Sequence, residues 1–225
     1  MNLIDRFLSL IAPHSCVGCD HEGSLYCGEC ADIMERLPSI CYACARATHD
    51  NTPCASCLSH SGPQHVWITT TYKGGPKLLI KAYKFEEKRA AAARIAELID
   101  ESLPYFPDPP LVAFVPTVTS HRRARGFDHA EYIARELAKG RDWHYARLLH
   151  RTSQVRQLGA TREQRQSQLK GLFRPINKQL IKNRHILLVD DVITTGATVG
   201  ECARVLYKNG AAKVDVAAFA RTPEK

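Results

Sequence analysis

One stretch near the C-terminus, from Ile186 to Thr198, constrains the fold more than any other part of the sequence. Four apolar residues typical of a buried strand are followed by Asp190 and Asp191, and a helical pattern begins at the end of the stretch. Between them lies a short loop rich in threonine. The loop and helix start supply five further candidate ligand-binding residues, which are Thr194, Thr195, Gly196, Ala197 and Thr198.

The residue types in this stretch are those that a sugar phosphate requires. Two adjacent carboxylates, Asp190 and Asp191, can accept hydrogen bonds from the vicinal hydroxyls of a ribose. The N–H groups and the dipole at a helix N-terminus favour a phosphate, and Gly196 lets the backbone approach it closely. The stretch therefore predicts a site in which a ribose diol lies beside its phosphate.

Two other interpretations of the same stretch are a plain strand–turn–helix and a receiver domain, in which a strand also ends in paired aspartates. The first leaves the coincidence of the acidic pair, the glycine and the threonines unexplained. The second needs several more strands, and only about 35 residues follow the pair. No Gly-x-Gly-x-x-Gly and no Walker A string occurs anywhere in the chain.

Strand and helix patterns alternate around this stretch from residue 67 to the C-terminus. We predict strands at 67–72, 111–115, 186–189 and 214–220, and helices at 77–85, 89–103, 128–139 and 198–209. Gly74-Gly75-Pro76 predicts a turn, Asp128 a helix N-cap, Gly210 a helix C-cap, and 151–175 a long loop or mobile arm. The fold class is therefore α/β, a parallel sheet flanked by helices over residues 67–225, with ligands beyond the carboxyl ends of the strands.

Eight of the nine cysteines form four Cys-x-x-Cys pairs within the first 60 residues. The paired cysteines are Cys16, Cys19, Cys27, Cys30, Cys41, Cys44, Cys54 and Cys57. Two such pairs complete a tetrahedral zinc site, so four predict two structural zinc ions in a small module over residues 1–60. Pairing in sequence order closes the shorter loops, but a cross-braced pairing stays open. The competing interpretations are one zinc ion with free thiols and disulfides, although no secretion signal indicates an oxidising compartment.

The positive charge of the chain, a net +8, is concentrated in one segment. Residues 111–185 contain 16 basic and 5 acidic side chains, a net of +11. Such a concentration suggests an anionic partner, either a polyphosphate or a nucleic acid. No apolar run reaches the ~18 residues that a membrane span needs. Residues 2–11 are typical of a short amphipathic helix, which would pack on its own domain or contact a membrane surface. We expect a cytoplasmic protein.

The stretch from Ile186 to Thr198 resembles the diphosphosugar-binding signature of type I phosphoribosyltransferases. Nearly the whole chain resembles the ComF/GntX family, which joins a double zinc ribbon to a phosphoribosyltransferase-like domain. The further residues that carry the resemblance are Tyr72, Lys84-Phe85, Val115-Pro116, Arg122, Arg125-Gly126-Phe127, Thr152, Gln157, Arg165, Gly171 and Phe173. The chain departs from the family pattern at Asp128-His129, where Asn-Gln is usual, and at Gln168, where the arm usually has Asn.

The resemblance implies phosphoribosyl diphosphate as the ligand, with magnesium bridging its diphosphate and ribose oxygens. It also implies a diphosphate loop after Val115-Pro116, formed by Thr117, Val118, Arg122, Arg123 and Arg125. The segment 151–175 would be the hood that closes over the substrate.

Three functions are compatible with the resemblance. The first is a phosphoribosyltransferase of nucleotide or base salvage. The second is a protein of DNA uptake in natural transformation, which would bind single-stranded DNA weakly through the basic segment 111–185 and act with a competence helicase. The third is a regulator that senses the diphosphosugar without turning it over.

Overall fold

The sheet predicted from the sequence is present, and all of its strand pairs are parallel. The computed structural model describes residues 14–85, 90–117, 128–152 and 171–223, and the predicted helix at 2–11 lies outside these ranges. In chain order the elements are α1 (Gly28–Asp32), β1 (Val66–Thr71), α2 (Gly74–Phe85), α3 (Ala90–Asp100), β2 (Leu111–Phe114), α4 (His129–Gly140), β3 (Leu149–Arg151), β4 (Phe173–Pro175), β5 (His185–Ile193), α5 (Ala197–Lys208) and β6 (Lys213–Arg221). The four-stranded sheet has the order β1-β6-β5-β2.

Strand β5, one of the two inner strands, is apolar on both faces, because helices and residues of the N-terminal cysteine region cover both sides of the sheet. Leu187 and Val189 belong to the core on one face, and Ile186 and Leu188 to the core on the other. All four side chains are fully buried. Each contributes about 1.5–3 kcal/mol of hydrophobic stabilisation, which explains why a continuous apolar run specifies this strand.

Strand β5 is longer than the sequence predicted, because its pairing with β6 continues to Ile193, opposite Arg221. Asp190 and Asp191 therefore lie inside the strand, with Asp190 opposite Ala218, rather than just beyond its end. Successive strand residues point to opposite faces of a sheet. The two carboxylates accordingly have different surroundings.

The predicted turn at Gly74-Gly75-Pro76 is wrong, since these residues form the first turn of α2. Proline is tolerated in the first turn of a helix, where its missing N–H would have no acceptor. A Cβ at Gly75 would lie 2.7 Å from the Tyr26 hydroxyl, so the small residue here serves close packing.

The arm predicted at 151–175 is anchored by a short antiparallel pair. Strands β3 and β4 pair with Arg151 opposite Phe173, and the Thr152 N–H donates to the Leu172 carbonyl at 2.7 Å. Residues 153–170, with Gln157, Arg165 and Gln168, lie outside the described residues.

Two turns near the N-terminus organise the cysteines. Ser15 bridges to Glu22 and Ile40 to Ala47, each in an antiparallel pair. A third bridge joins Arg36 to Thr70 of β1 and so connects this region to an edge of the sheet.

Candidate functional site

The carboxyl end of β5 carries an ion pair that connects it to α2. Lys84 Nζ lies 2.5 Å from Asp191 Oδ2, and the Asp191 side chain is 9% exposed. Burial pulls the pKa of Lys84 down, but the charge and hydrogen bond of Asp191, with the charge of Asp190, outweigh burial and leave that pKa raised. The lysine therefore stays charged, and an ammonium group has further hydrogens that it could donate to an anion.

The neighbouring carboxylate is in a less favourable environment. Burial, followed by the negative charge of Asp191, raises the pKa of Asp190 well above its usual range, and Lys84 opposes this only in part. The Asp191 N–H donates to Asp190 Oδ1 at 2.9 Å, which fixes the carboxylate. Ionised Asp190 destabilises the fold because it is buried beside another negative charge. Carboxylates with such a perturbed pKa are characteristic of binding and catalytic sites.

The loop after β5 ends at the N-terminus of α5. Thr194 and Thr195 are exposed, Ala197 and Thr198 are partly exposed, and Gly196 is buried. Gly196 is the N-cap residue of α5 with φ +72°, in the left-handed region that favours glycine. The glycine N-cap supplies no side-chain acceptor, and the Ala197 N–H donates to Thr195 Oγ1 over a long 3.5 Å. The first N–H groups of α5 could therefore turn to an anion.

Gly196 also packs closely against Tyr42, which lies in the part of the chain that contains Cys41, Cys44, Cys54 and Cys57. A Cβ added to it would lie 2.5 Å from Tyr42 Cδ2 and 2.9 Å from the Tyr42 carbonyl oxygen. Tyr42 lies between Cys41 and Cys44 in the sequence and is 7% exposed. This contact could not be anticipated from the sequence, because it joins residues 154 positions apart.

The predicted diphosphate loop is only partly within the described residues. Thr117 is described, whereas Val118, Arg122, Arg123 and Arg125 lie outside. The Thr117 N–H and Oγ1 both donate to Asp128 Oδ2, at 2.9 and 3.0 Å. In this structure the Thr117 N–H therefore has a carboxylate acceptor where the prediction expects a diphosphate.

Asp128 is the N-cap residue of α4, as predicted, but its side chain does not cap the helix. Its carboxylate turns to Thr117 and is buried. Burial raises the pKa of Asp128, the Thr117 donors oppose this, and the charge of Asp191 adds to the increase. The position where the family usually has Asn thus brings a third carboxyl group to the site.

The end of the arm is attached to α5, the helix that begins at the loop. The Gly171 N–H donates to Glu201 Oε1 at 3.1 Å, and Arg204 binds both oxygens of the same carboxylate at 2.7 Å. The C-terminal end of the predicted arm is therefore fixed to the helix that begins at the predicted phosphate-binding loop.

The eight paired cysteines form two groups, in sequence order. The first consists of Cys16, Cys19, Cys27 and Cys30, and the second of Cys41, Cys44, Cys54 and Cys57; within each group the sulfurs lie within 4.8 Å of one another. All nine cysteines of the chain are free thiols, which excludes the disulfide interpretation for this structure.

Both groups fit a tetrahedral ion bound by four thiolates. Sulfur–sulfur distances are 3.7 Å for Cys16–Cys30, 3.6 Å for Cys19–Cys27 and 3.5 Å for Cys44–Cys54. A zinc ion with bonds of ~2.3 Å would place its sulfurs about 3.8 Å apart. Each group could therefore hold a structural zinc ion.

Backbone donors prepare one buried thiol in each group for the thiolate state. Burial raises the pKa of Cys41, but N–H groups of Cys54 and Cys44 donate to its sulfur and bring the pKa down to about 6. Cys16 has a pKa of about 6 for the same reasons. The ninth cysteine, Cys202, is fully buried in the core.

Comparison with known proteins decides the family. Residues 124–225 match the model of the phosphoribosyl transferase domain. The DNA utilization protein YhgH of Salmonella typhi is 30% identical over 206 residues, which cover 87% of this chain and 90% of that protein. The chain belongs to the ComF/GntX family.

Two further ComF-type relatives have competence in their names. Competence protein F of Haemophilus influenzae is 24% identical over 92% of this chain and 90% of its own. Competence protein ComFC of Streptococcus pneumoniae is 25% identical over 89% of this chain and 90% of its own.

Membership confirms the predicted fold class, a parallel sheet flanked by helices with two four-cysteine groups before it. Among the described residues of this ComF-type chain, no helix is both long and apolar enough to cross a membrane.

Proposed function

We propose that this ComF-type protein binds phosphoribosyl diphosphate with magnesium at the carboxyl end of β5. The observation that carries the proposal is the placement of Asp190 and Asp191 near the carboxyl end of β5, which a short loop joins to the glycine-capped N-terminus of α5. The carboxylates would accept from the ribose hydroxyls, and the N–H groups of Thr195 to Thr198 would bind the 5′-phosphate. Magnesium, held mainly by ligand oxygens and water, would neutralise the diphosphate.

Lys84 adds a role that the sequence did not indicate. Its ammonium group is held at Asp191 and can donate to the ligand as well. We infer that Lys84 orients Asp191 toward the ribose and offsets part of the repulsion between the two aspartates.

The chemistry that this arrangement supports is displacement of diphosphate at the anomeric carbon. The protein would act by positioning and by charge, while the segment 153–170 and the arginines of the diphosphate loop would complete the site. A sensor that binds the same ligand without turnover uses the same residues. Release of diphosphate in the presence of candidate bases separates a phosphoribosyltransferase from a sensor.

Calorimetric titration with phosphoribosyl diphosphate and magnesium tests the binding proposal. The variant Asp190→Asn with Asp191→Asn should lose binding, because each charged hydrogen bond contributes roughly 1.5–3 kcal/mol. Thr195→Val, which keeps the backbone donors, should weaken binding less. Titration of the double variant with wild-type affinity would contradict the proposal.

A second function, cytoplasmic binding of single-stranded DNA during uptake, has its own observation. Within the described part of 111–185, Arg135 and Arg147 are paired with Glu131, and Arg141 is paired with Asp100. By contrast, four exposed cations form no ion pair with any described residue; they are Arg174 in β4 and, between β4 and β5, Lys178, Lys182 and Arg184. No acidic residue occurs from 171 to 184.

These free cations define the DNA surface that we expect, the 174–184 segment. Arg184 precedes Asp190 by six residues of extended chain, about 20 Å. Phosphoribosyl diphosphate should therefore leave DNA bound, and a competence helicase would meet a surface separate from the sugar site. The names of the relatives, which mention DNA utilization and competence, support this function.

Fluorescence anisotropy with a labelled single strand tests this surface. The plot of log affinity against log salt concentration has a negative slope, and each phosphate contact with a single strand contributes ~0.7 to its magnitude. Lys178→Glu with Lys182→Glu removes two contacts and should therefore reduce the magnitude of the slope by about 1.4. Lys73→Glu with Lys77→Glu, exposed residues at the same spacing, gives the same change in net charge as a control. Equal effects of the two pairs, or no binding at ~50 mM salt, would end this hypothesis.

A further inference from the structure

The second cysteine group and the sugar-phosphate loop share one residue, Tyr42. It occupies the knuckle between Cys41 and Cys44, and its ring lies against Gly196 at the N-cap of α5. A Cβ on Gly200, one turn into the helix, would lie 3.4 Å from the Tyr42 hydroxyl. The tyrosine therefore supports the first turn of α5, whose N–H groups face the proposed phosphate.

The backbone of Tyr42 is fixed to the sheet as well. Its carbonyl oxygen accepts a hydrogen bond from Arg221 Nη1, a buried side chain at the end of β6. Arg221 lies opposite Ile193, the last residue of β5 before the loop. Both ends of the loop thus rest on elements that contact Tyr42.

We propose that ion binding by the second cysteine group and ligand binding at the Thr194–Thr198 loop strengthen each other through Tyr42. With an ion in place, the Cys41 and Cys44 sulfurs hold the knuckle and keep the ring under Gly196, which fixes the left-handed N-cap. Without the ion the knuckle can move, and the N–H groups that bind the phosphate are no longer prearranged. Coupling between two binding sites is reciprocal, so the ligand must also retain the ion.

The first cysteine group provides a contrast inside the same molecule. Its neighbouring tyrosine, Tyr26, packs on Gly75, and the Tyr26 carbonyl accepts from Arg94 Nε at 2.9 Å. Gly75 precedes Lys84 by nine helical residues, about 14 Å along α2. Ion binding by this group should therefore depend little on the ligand.

Alkylation of the cysteines during zinc chelation tests the proposal, which rests on the proposed ligand. Full-length protein is treated with a chelator and iodoacetamide, with or without phosphoribosyl diphosphate and magnesium, and alkylated peptides are quantified. We expect the ligand to slow alkylation of Cys41, Cys44, Cys54 and Cys57 at least about fivefold. The rate for the cysteines of the first group should stay unchanged.

Variants of the two tyrosines distinguish coupling from general stabilisation. Tyr42→Ala should abolish the selective protection of the second cysteine group and weaken ligand binding. Tyr42→Phe should preserve the protection and the ligand affinity, because the ring remains. Tyr26→Ala should preserve them as well. If the ligand protects the two cysteine groups equally, or protects neither while calorimetry shows binding, the coupling is wrong but the proposed ligand binding stands. Absence of calorimetric binding to the wild type would overturn the proposed function together with it.

Discussion

Lys84 Nζ and Asp191 Oδ2 are 2.5 Å apart and join the last turn of α2 to the carboxyl end of β5. The pair is mostly buried, with side-chain exposures of 23% and 9%. Its position at the proposed ribose site gives it a structural and a functional role that mutations can separate.

We predict that Lys84→Met destabilises the protein by about 3 kcal/mol. Removal of one partner of a buried ion pair leaves the other charge without compensation. Lys84→Met with Asp191→Asn should recover part of the loss, because the uncompensated charge is gone. Urea unfolding of the two single variants and the double variant gives the coupling energy, and additive effects would contradict a direct pair.

Asp190→Asn should stabilise the protein while it removes ligand binding. The folded state raises the pKa of Asp190, so the ionised carboxylate costs stability above that pKa. Asn keeps an acceptor for the Asp191 N–H and carries no charge. At neutral pH the midpoint of thermal unfolding should rise by about 2–4 °C, which corresponds to ~1 kcal/mol.

The pH dependence of that difference checks its cause. As the pH falls through the folded pKa of Asp190, the wild-type carboxyl becomes neutral, and the advantage of Asn should shrink. A difference in melting temperature that stays constant from neutral to acidic pH would exclude the charge of Asp190 as its origin.

Gly196→Ala should destabilise the protein by about 2–4 kcal/mol. The left-handed backbone costs roughly 1–2 kcal/mol for a residue with a Cβ, and overpacking against Tyr42 adds a similar amount. Gly210→Ala is the matched control, with φ +89° but an ordinary 3.5 Å contact to Lys182 Cγ. Chemical unfolding should give a clearly smaller loss for the control, and equal losses would show that Tyr42 does not press on the loop.

The sequence predicted the fold well because apolar runs, helical periodicity and Cys-x-x-Cys spacing are local signals. It did not predict the pair of Lys84 with Asp191 or the contact of Tyr42 with Gly196, since both depend on tertiary approach. The prediction of a turn at Gly74-Gly75-Pro76 was wrong, because Gly75 allows close packing against Tyr26 rather than a change of chain direction. The sequence did not predict the extension of β5 to Ile193. Asp190 and Asp191 interrupt the apolar run, but pairing with β6 continues the strand through them.

Purified protein should contain close to two zinc equivalents by metal analysis. Each four-cysteine group has sulfur spacings that fit one tetrahedral ion. Cys41→Ser should reduce the content to one and make the second group sensitive to protease, because a structural zinc ion contributes roughly 10 kcal/mol in isolated fingers. One equivalent or none in the wild type would contradict the double-ribbon account.

Amide hydrogen exchange shows whether the start of α5 binds the phosphate of a diphosphosugar. Peptides that cover 186–200 are followed with magnesium alone and with magnesium plus phosphoribosyl diphosphate. We expect slower exchange at Thr195 to Thr198 only when the ligand is present, and no such change in the Asp190→Asn, Asp191→Asn variant. Unchanged exchange in this stretch, while calorimetry reports binding, would rule out phosphate binding at the start of α5.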